Sequence, residues 1–343
     1  MSVDSKAVLT LEGVTPDNIP FDTLFKANQP VVMPGLAKDW PLVQAGLQSV
    51  EATMQMLEEF DSGRPVGVFT APPSAKGRFV YEQSRSGFNF ESKRLPLLDV
   101  LSSIRDTLGK ESHPYYYINS LVFHDGFPEL NKRNTLNFDH DVFQSNIPLS
   151  KIWLGTQSIA SAHYDLPNNL ACCVLGKRRF TLFPPDQIHN LYPGPMEATP
   201  GGQVVTMTDL NAPDFERFPR LEEALKSAYI VDMEPGDALY YPSMWWHQVQ
   251  AYDEFNVMVN YWWASSPRYM GNPIDVILHG ILSLRDRPQA EKEAWREHFD
   301  YYVFGDAENT RAHVPESMRG SLDPVDEIAS RRIRAQLKNK LNR

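Results

Sequence analysis

At 343 residues, with 42% aliphatic and aromatic and 22% charged side chains, the chain has the make-up of a globular protein with a full core, which excludes a largely disordered chain. Its formal net charge of -10 repels a phosphate backbone, so nucleic acid is not an expected partner. No run approaches the ~18 apolar residues that span a bilayer, and the start MSVDSKAVLTLEG lacks the charged-then-apolar pattern of a secretory signal, so no membrane partner and a cytoplasmic location are expected.

Residues 1–110 mix short apolar runs with turn signals at Gly35, Gly63, Pro72-Pro73 and Gly87, the pattern of an N-terminal α/β elaboration packed on another element. Residues 111–266 change to short β-branched and aromatic runs separated by Pro, Gly, Asn and Asp, which predicts an antiparallel sandwich or barrel. The runs are Tyr116 to Leu121, Lys151 to Gln157, Leu170 to Leu175, Arg179 to Phe183, Tyr229 to Met233, Ala238 to Tyr241 and Asn256 to Trp263. Residues 267–343 read as helical. Ile274, Ile277, Leu278, Ile281 and Leu282 follow i, i+3, i+4, i+7, i+8 spacing, and Trp295, Phe299, Tyr302 and Val303 do the same, with Pro288 in the first turn of that second helix. A third helix is expected to start near Asp323-Pro324 and carries Ile333, Leu337 and Leu341. The basic residues Arg331, Arg332, Arg334, Lys338 and Lys340 beside them read as a solvated face rather than a nucleic-acid patch.

The only cysteines, Cys172 and Cys173, are adjacent, so they cannot form an ordinary structural disulfide or a four-ligand zinc site, and they read as two positions on a buried strand. The chemistry-bearing pattern lies elsewhere. In strand-like surroundings His163 and Asp165 are separated by two and face the same side. A second histidine, His247, follows 84 positions later, after the turn signal Pro235-Gly236-Asp237, where a neighbouring strand of a closed barrel can bring it to the same point. Two imidazoles and one carboxylate on one face of an octahedron leave three adjacent positions free, the arrangement of non-haem iron(II) oxygenases. Iron(II) is the expected metal, with nickel, manganese and zinc able to take the same ligands in vitro.

The motifs His163-Tyr164-Asp165, Gly176 to Gln187, Leu191-Tyr192-Pro193, Asp214 to Pro219, Pro235-Gly236-Asp237 and Trp245-Trp246-His247 resemble the cupin-like JmjC hydroxylases, asparaginyl hydroxylases among them. Upstream, Pro30-Val31-Val32, Gly35 and Asp39-Trp40-Pro41 are similar to the start of that family, so the likeness runs from about residue 20 to about residue 305. It implies a mainly β, double-stranded β-helix (jelly-roll, cupin) fold, with Fe(II), 2-oxoglutarate and O2, and hydroxylation coupled to decarboxylation of the 2-oxoacid. It also implies that Tyr117, Asn169 and Asn260 line the 2-oxoglutarate site.

Two positions depart from the family. Arg178 stands where a lysine usually binds the distal carboxylate of 2-oxoglutarate; it keeps the charge and can grip a carboxylate with two parallel hydrogen bonds. Ala160 stands where a related hydroxylase has a threonine. These departures motivate an alternative, an iron-dependent oxygenase that does not use 2-oxoglutarate; a second alternative is a non-catalytic cupin-like sensor. The expected substrate is a protein or peptide side chain or, as second choice, a small molecule. It is expected to meet pocket walls from Phe69 to Phe90 and from Phe123 to Phe143, with His140-Asp141 as a loop pair. A homodimer through the C-terminal helices is expected from their apolar faces and from the resemblance.

Overall fold

The computed structural model describes residues 6–82 and 87–342. Met1–Ser5, from the segment read for a secretory signal, and Gln83–Ser86, within the first expected pocket wall, lie outside the described residues. The chain divides into two compact units, Met1–Ser265 and Ser266–Arg343.

The first unit carries the strands β1 (Leu9–Thr10), β2 (Val31–Met33), β3 (Val66–Ala71), β4 (Glu91–Leu95), β5 (Tyr115–Val122), β6 (Leu149–Gly155) and β7 (Ser158–Tyr164). They continue as β8 (Asn168–Leu175), β9 (Arg178–Phe183), β10 (Tyr229–Met233), β11 (Ala238–Tyr241), β12 (Trp246–Ala251) and β13 (Asn256–Trp263). Its helices are α1 (Phe21–Ala27), α2 (Pro41–Gln48), α3 (Val50–Glu59), α4 (Leu97–Arg105) and the short α5 (Phe123–Gly126), α6 (Pro128–Arg133), α7 (Val142–Ser145) and α8 (Leu221–Lys226). A large sheet has the order β1-β2-β11-β8-β13-β6-β5-β3-β4, and a small sheet has the order β10-β9-β12-β7. Apart from β1 on β2, the pairings are antiparallel, which gives the mainly β jelly-roll with helical elaboration that the sequence predicts.

Period-2 alternation decides what each face of the large sheet meets. On one face Leu170, Cys172 and Val174 of β8, with Val257 and Val259 of β13, join a core with Leu24 of α1, Leu42 of α2, Leu57 of α3 and Leu101 of α4. On the other face Ala171 and Cys173 of β8 and Met258 of β13 meet Phe180 and Leu182 of β9 and Val231 of β10. Strand β8 is therefore buried at all eight positions, which is why it reads as an unbroken apolar run, and the two cysteines sit on opposite faces of it. The N-terminal residues supply the layer of helices and also four strands of the large sheet.

The second unit holds α9 (Pro273–Ser283), α10 (Gln289–Phe299), α11 (Ala307–Arg311) and α12 (Glu327–Leu341). Asn272 caps α9 by accepting from the Ile274 amide, and Pro273 at its first position has no amide to leave unpaired. Two expectations shift. Pro288 is the N-cap of α10 rather than part of its first turn, its extended ψ of 147° placing it just outside the helix. Helix α12 starts at Glu327, because the Asp326 side chain accepts from the Ala329 amide at 2.7 Å and stops fraying towards Asp323-Pro324. After α10 the chain widens into a π-helical turn, Asp300–Phe304. Neither α9 nor α10 has a buried residue, and Leu282 and Phe304 are 77% and 75% exposed. No helix among the described residues is long and apolar enough to cross a membrane.

Candidate metal centre

Strands β7 and β12 are antiparallel neighbours whose register sets His163 directly opposite His247, with ring centroids 4.3 Å apart. Asp165 follows the last residue of β7, two positions beyond His163. The turn into β12 is pinned to it: the Met244 amide donates to the Asp165 carbonyl at 2.9 Å, and the Ser243 hydroxyl donates to the Leu166 carbonyl at 2.6 Å. Met244 takes a left-handed φ of 68° to make this closure. One ligand atom from each of His163, Asp165 and His247 lies within 4.8 Å of the other two, the only such trio among the described residues.

Hydrogen bonding sets the ring nitrogens. Nδ1 of His163 lies 2.8 Å from the Ser161 carbonyl, and Nδ1 of His247 lies 3.0 Å from the Trp245 carbonyl. A carbonyl only accepts, so each Nδ1 carries the proton and each neutral ring keeps its Nε2 lone pair for a metal. Burial, reinforced by repulsion from His247, pulls the His163 pKa down to about 4, so this ring is neutral at ordinary pH. Burial pushes the Asp165 carboxyl upward, but its setting beside His247, His163 and the Lys151 ammonium outweighs that and holds it below its ordinary value. Two imidazoles, each with Nδ1 bonded to a carbonyl and Nε2 left for a metal, and one carboxylate form a donor set suited to a divalent metal.

The trio opens into a cavity of about 290 Å3, and all seven residues singled out in the sequence line it: His163, Asp165, His247, Arg178, Tyr117, Asn169 and Asn260. Arg178 enters at the start of β9 because Gly176, at a left-handed φ of 79°, turns the chain where a Cβ would sit 2.3 Å from Asn256 Oδ1. The Arg178 side chain is 3% exposed, has no carboxylate partner among the described residues, and its Nε is buried without an acceptor. Burial lowers its pKa, partly offset by Cys173 and Tyr117, yet a guanidinium keeps its proton, so a positive charge stands unpaired in the cavity wall. Tyr117 reaches the same wall through a close approach of β5 to β6, where a Cβ on Gly155 would lie 2.2 Å from the Tyr116 carbonyl oxygen. Burial pushes its phenol up to about 12, so it remains a donor. Asn169 and Asn260 hold each other: Trp153 Nε1 donates to Asn260 Oδ1 at 2.7 Å, Asn260 Nδ2 to Asn169 Oδ1 at 3.2 Å, and Asn169 Nδ2 to the Tyr241 hydroxyl at 2.6 Å.

One expected wall is corrected. No residue of Phe123 to Phe143 lines the cavity. Phe123, Phe127 and Phe143 belong to the core on the opposite face of the large sheet, where Phe143 meets Phe21 at 4.7 Å. His140 packs in that same cluster at 5.1 Å from Phe25, and its Nε2 reaches Asp22 at 3.2 Å. The first expected wall is present through Phe69 and Phe79, and the other wall comes from Pro200, Gly201, Gln203 and Val205. The chain that follows this segment is clamped by Arg78, which donates to Asp209 and to the Thr208 carbonyl, both at 2.7 Å, and to Ser161 of β7 at 3.3 Å. Sequence reading also missed Lys151, Trp153 and Trp262. Their signal is alternation, since Lys151 and Trp153 interleave with the core residues Ile152 and Leu154.

Comparison with known proteins settles the family. The description "Cupin-like domain" matches residues 17–269. The chain belongs to the cupin-like family. This bears out the JmjC/cupin resemblance and the fold it implies. The chain is similar to the lysine-specific demethylase JMJ31 of Arabidopsis thaliana, 36% identical over 121 residues, which are 35% of this chain and 21% of that protein. It is similar to the HSPB1-associated protein 1 homolog of Danio rerio, 36% identical over 117 residues, 33% of this chain and 25% of that protein. It thus spans only about a fifth to a quarter of those two relatives. The tRNA wybutosine-synthesizing protein 5 of Mus musculus is 24% identical over 321 residues, 85% of this chain and 91% of that protein.

Proposed function

We propose that this cupin-like protein is an Fe(II)- and 2-oxoglutarate-dependent oxygenase that hydroxylates a protein side chain, with His163, Asp165 and His247 as metal ligands. Bound there, iron(II) with 2-oxoglutarate and dioxygen supplies oxidative hydroxylation coupled to loss of carbon dioxide. The observation that carries the reading is Arg178, a buried guanidinium with no carboxylate partner among the described residues and a buried Nε without an acceptor, in the same cavity as the trio. An isolated buried cation is costly, and a dianionic co-substrate with one carboxylate on Arg178 and its 2-oxoacid end at the metal relieves that cost. In this reading Tyr117, which lines the same cavity, is a further donor to that carboxylate, and Asn169 and Asn260, bonded to each other, form another side of the pocket. Ala160 lines the cavity without a hydroxyl, so Arg178 and Tyr117 take the larger share of binding.

The relatives' names point to a lysine demethylase and to tRNA modification. A net charge of -10 favours a protein or small-molecule substrate over RNA here, and the basic face of α12 is partly engaged internally, Arg331 with Glu327 and Arg334 with the Tyr269 carbonyl. The reading includes a homodimer through the C-terminal helices, supported by the exposed apolar side chains of α9 and α10.

Anaerobic titration of the iron-loaded protein with 2-oxoglutarate tests the assignment. Arg178→Ala is expected to weaken 2-oxoglutarate binding about tenfold to a hundredfold, as for loss of a charge-assisted hydrogen bond, with iron affinity unchanged. Equal 2-oxoglutarate affinity in wild type and variant eliminates the role of Arg178 and favours an iron oxygenase that does not use this co-substrate.

A further inference from the structure

The cavity holds a second cation that the reading above does not use. Lys151 of β6 stands cross-strand from Asn260 of β13, and its ammonium lies 4.1 Å from the centre of the Trp262 ring. One of its three N–H donors goes to the Ser120 hydroxyl at 2.6 Å. That serine is placed by an irregularity in β5: the pairing with β6 shifts register between Ile118 and Leu121, and Ser120 takes a left-handed φ of 59°. A bulge that re-aims a side chain next to a site, held by a non-glycine residue in that conformation, costs stability and persists only where the surroundings enforce it. Among the described residues no carboxylate forms an ion pair with Lys151, and the one acid whose field reaches it is Asp165, which belongs to the metal trio. Trp262 adds a buried indole N–H without an acceptor.

Charge matching then narrows what fits. With a divalent metal on the trio, Asp165 cancels one positive charge and a 2-oxoglutarate dianion cancels the remaining charge of the metal and that of Arg178. Lys151, half-buried at the cavity wall, is left with no anionic partner and with free donors. One monoanionic carboxylate matches one ammonium, whereas a phosphate dianion overshoots. The cavity of about 290 Å3 is at the small end of ligand pockets, so beside a co-substrate it accepts a side-chain-sized group rather than a second metabolite.

Building on the 2-oxoglutarate reading, we infer that Lys151 is a specificity-determining residue that receives a carboxylate of the substrate, with Trp262 Nε1 as the second donor, so that the substrate is an acidic side chain or lies beside one.

The test uses the full chain loaded with Mn(II) and 2-oxoglutarate and two probes alike in shape, N-acetylglutamate α-amide and N-acetylglutamine α-amide. Paramagnetic relaxation of probe protons reports entry into the cavity. The glutamate probe is expected to bind about tenfold better than the glutamine probe, as for a charge-assisted hydrogen bond. Lys151→Gln removes this preference, Lys151→Arg keeps it, and both variants bind Mn(II) and 2-oxoglutarate like wild type. Equal binding of the two probes by wild type, or a preference that survives Lys151→Gln, overturns the inference. So does loss of 2-oxoglutarate affinity in Lys151→Gln, which would hand the lysine to the co-substrate. Inorganic phosphate binding as tightly as the glutamate probe, with the same dependence on Lys151, overturns the carboxylate assignment. A wild-type protein that binds neither Mn(II) nor 2-oxoglutarate overturns the underlying reading and this inference with it; one that binds both without preference overturns this inference alone.

Discussion

In the unit of residues 1–265, Leu170, Cys172 and Val174 of β8 turn to the helical layer while Ala171 and Cys173 turn to the small sheet, and all five are buried. In the unit of residues 266–343, Val276, Leu278 and Leu282 of α9 are just as apolar, yet all three are exposed. Both regions carry clean periodicity, of 2 in the strands and 3.6 in the helix. The contrast teaches that periodicity identifies an apolar face and is silent on what covers it. The strands find their cover within their own unit, where it also builds a cavity. The reading of the helices as a dimer surface requires a second copy.

If the two regions serve separate purposes, damage to one leaves the other intact. The largest effect is expected from Asp165→Ala, which removes the only anionic ligand of the trio: iron affinity falls by more than about a hundredfold, since loss of even an outer-shell partner costs tenfold to a hundredfold. Atomic absorption of purified wild type and variant checks this, and undiminished iron in the variant sinks the ligand assignment. Its oligomeric state should not change.

The converse variant, Leu278→Glu with Ile281→Glu, places two charges in the proposed interface, where an unpaired buried charge costs about 3–5 kcal/mol. Light scattering is expected to give a dimer for wild type and a monomer for the variant, with iron content unchanged. A wild-type monomer at micromolar concentration ends the dimer reading outright. Within the barrel, Gly155→Ala forces a methyl group against the Tyr116 carbonyl and is expected to cost about 2–3 kcal/mol as an overpacking change, read from urea unfolding midpoints. A midpoint like that of wild type would show that β5 and β6 can separate without cost.

The smallest effect concerns pH. His163 titrates at about 4 in the folded metal-free protein and near 6.5 when unfolded, so between those values the unfolded chain binds the extra proton and stability falls as pH falls. From pH 7.5 to 5.5 the loss is about 1 kcal/mol, since a tenfold difference in proton affinity between the two states is worth about 1.4 kcal/mol. Denaturant curves of metal-free wild type and His163→Gln at the two pH values isolate it: the wild type should lose more than the variant, and parallel losses would assign the acid sensitivity to other groups.

Much of the barrel was legible because β8, β9, β11 and β13 are almost wholly buried strands with little room for ambiguity. The trio was legible because a spacing of two on a strand forces His163 and Asp165 to one side, and the family's motif order supplied His247. The wall from Phe123 to Phe143 was misplaced because an aromatic-rich stretch looks the same in sequence whether it crosses the inner or the outer face of a sheet. Lys151 went unread for a related reason: alternation sets it on the face opposite Ile152, but only the bulge at Ser120 and the pairing with Asn260 show that this face meets the cavity. The Arg78 clamp joins segments more than 80 residues apart and leaves no spacing to read either.

The central claim, oxidation coupled to 2-oxoglutarate on the trio His163, Asp165 and His247, is tested most directly by succinate. Aerobic incubation of the protein with 2-oxoglutarate should yield succinate only when iron(II) is added, and Asp165→Ala should yield none. Absence of iron-dependent succinate from wild type, with or without an acidic peptide present, or equal succinate from Asp165→Ala, would contradict the account.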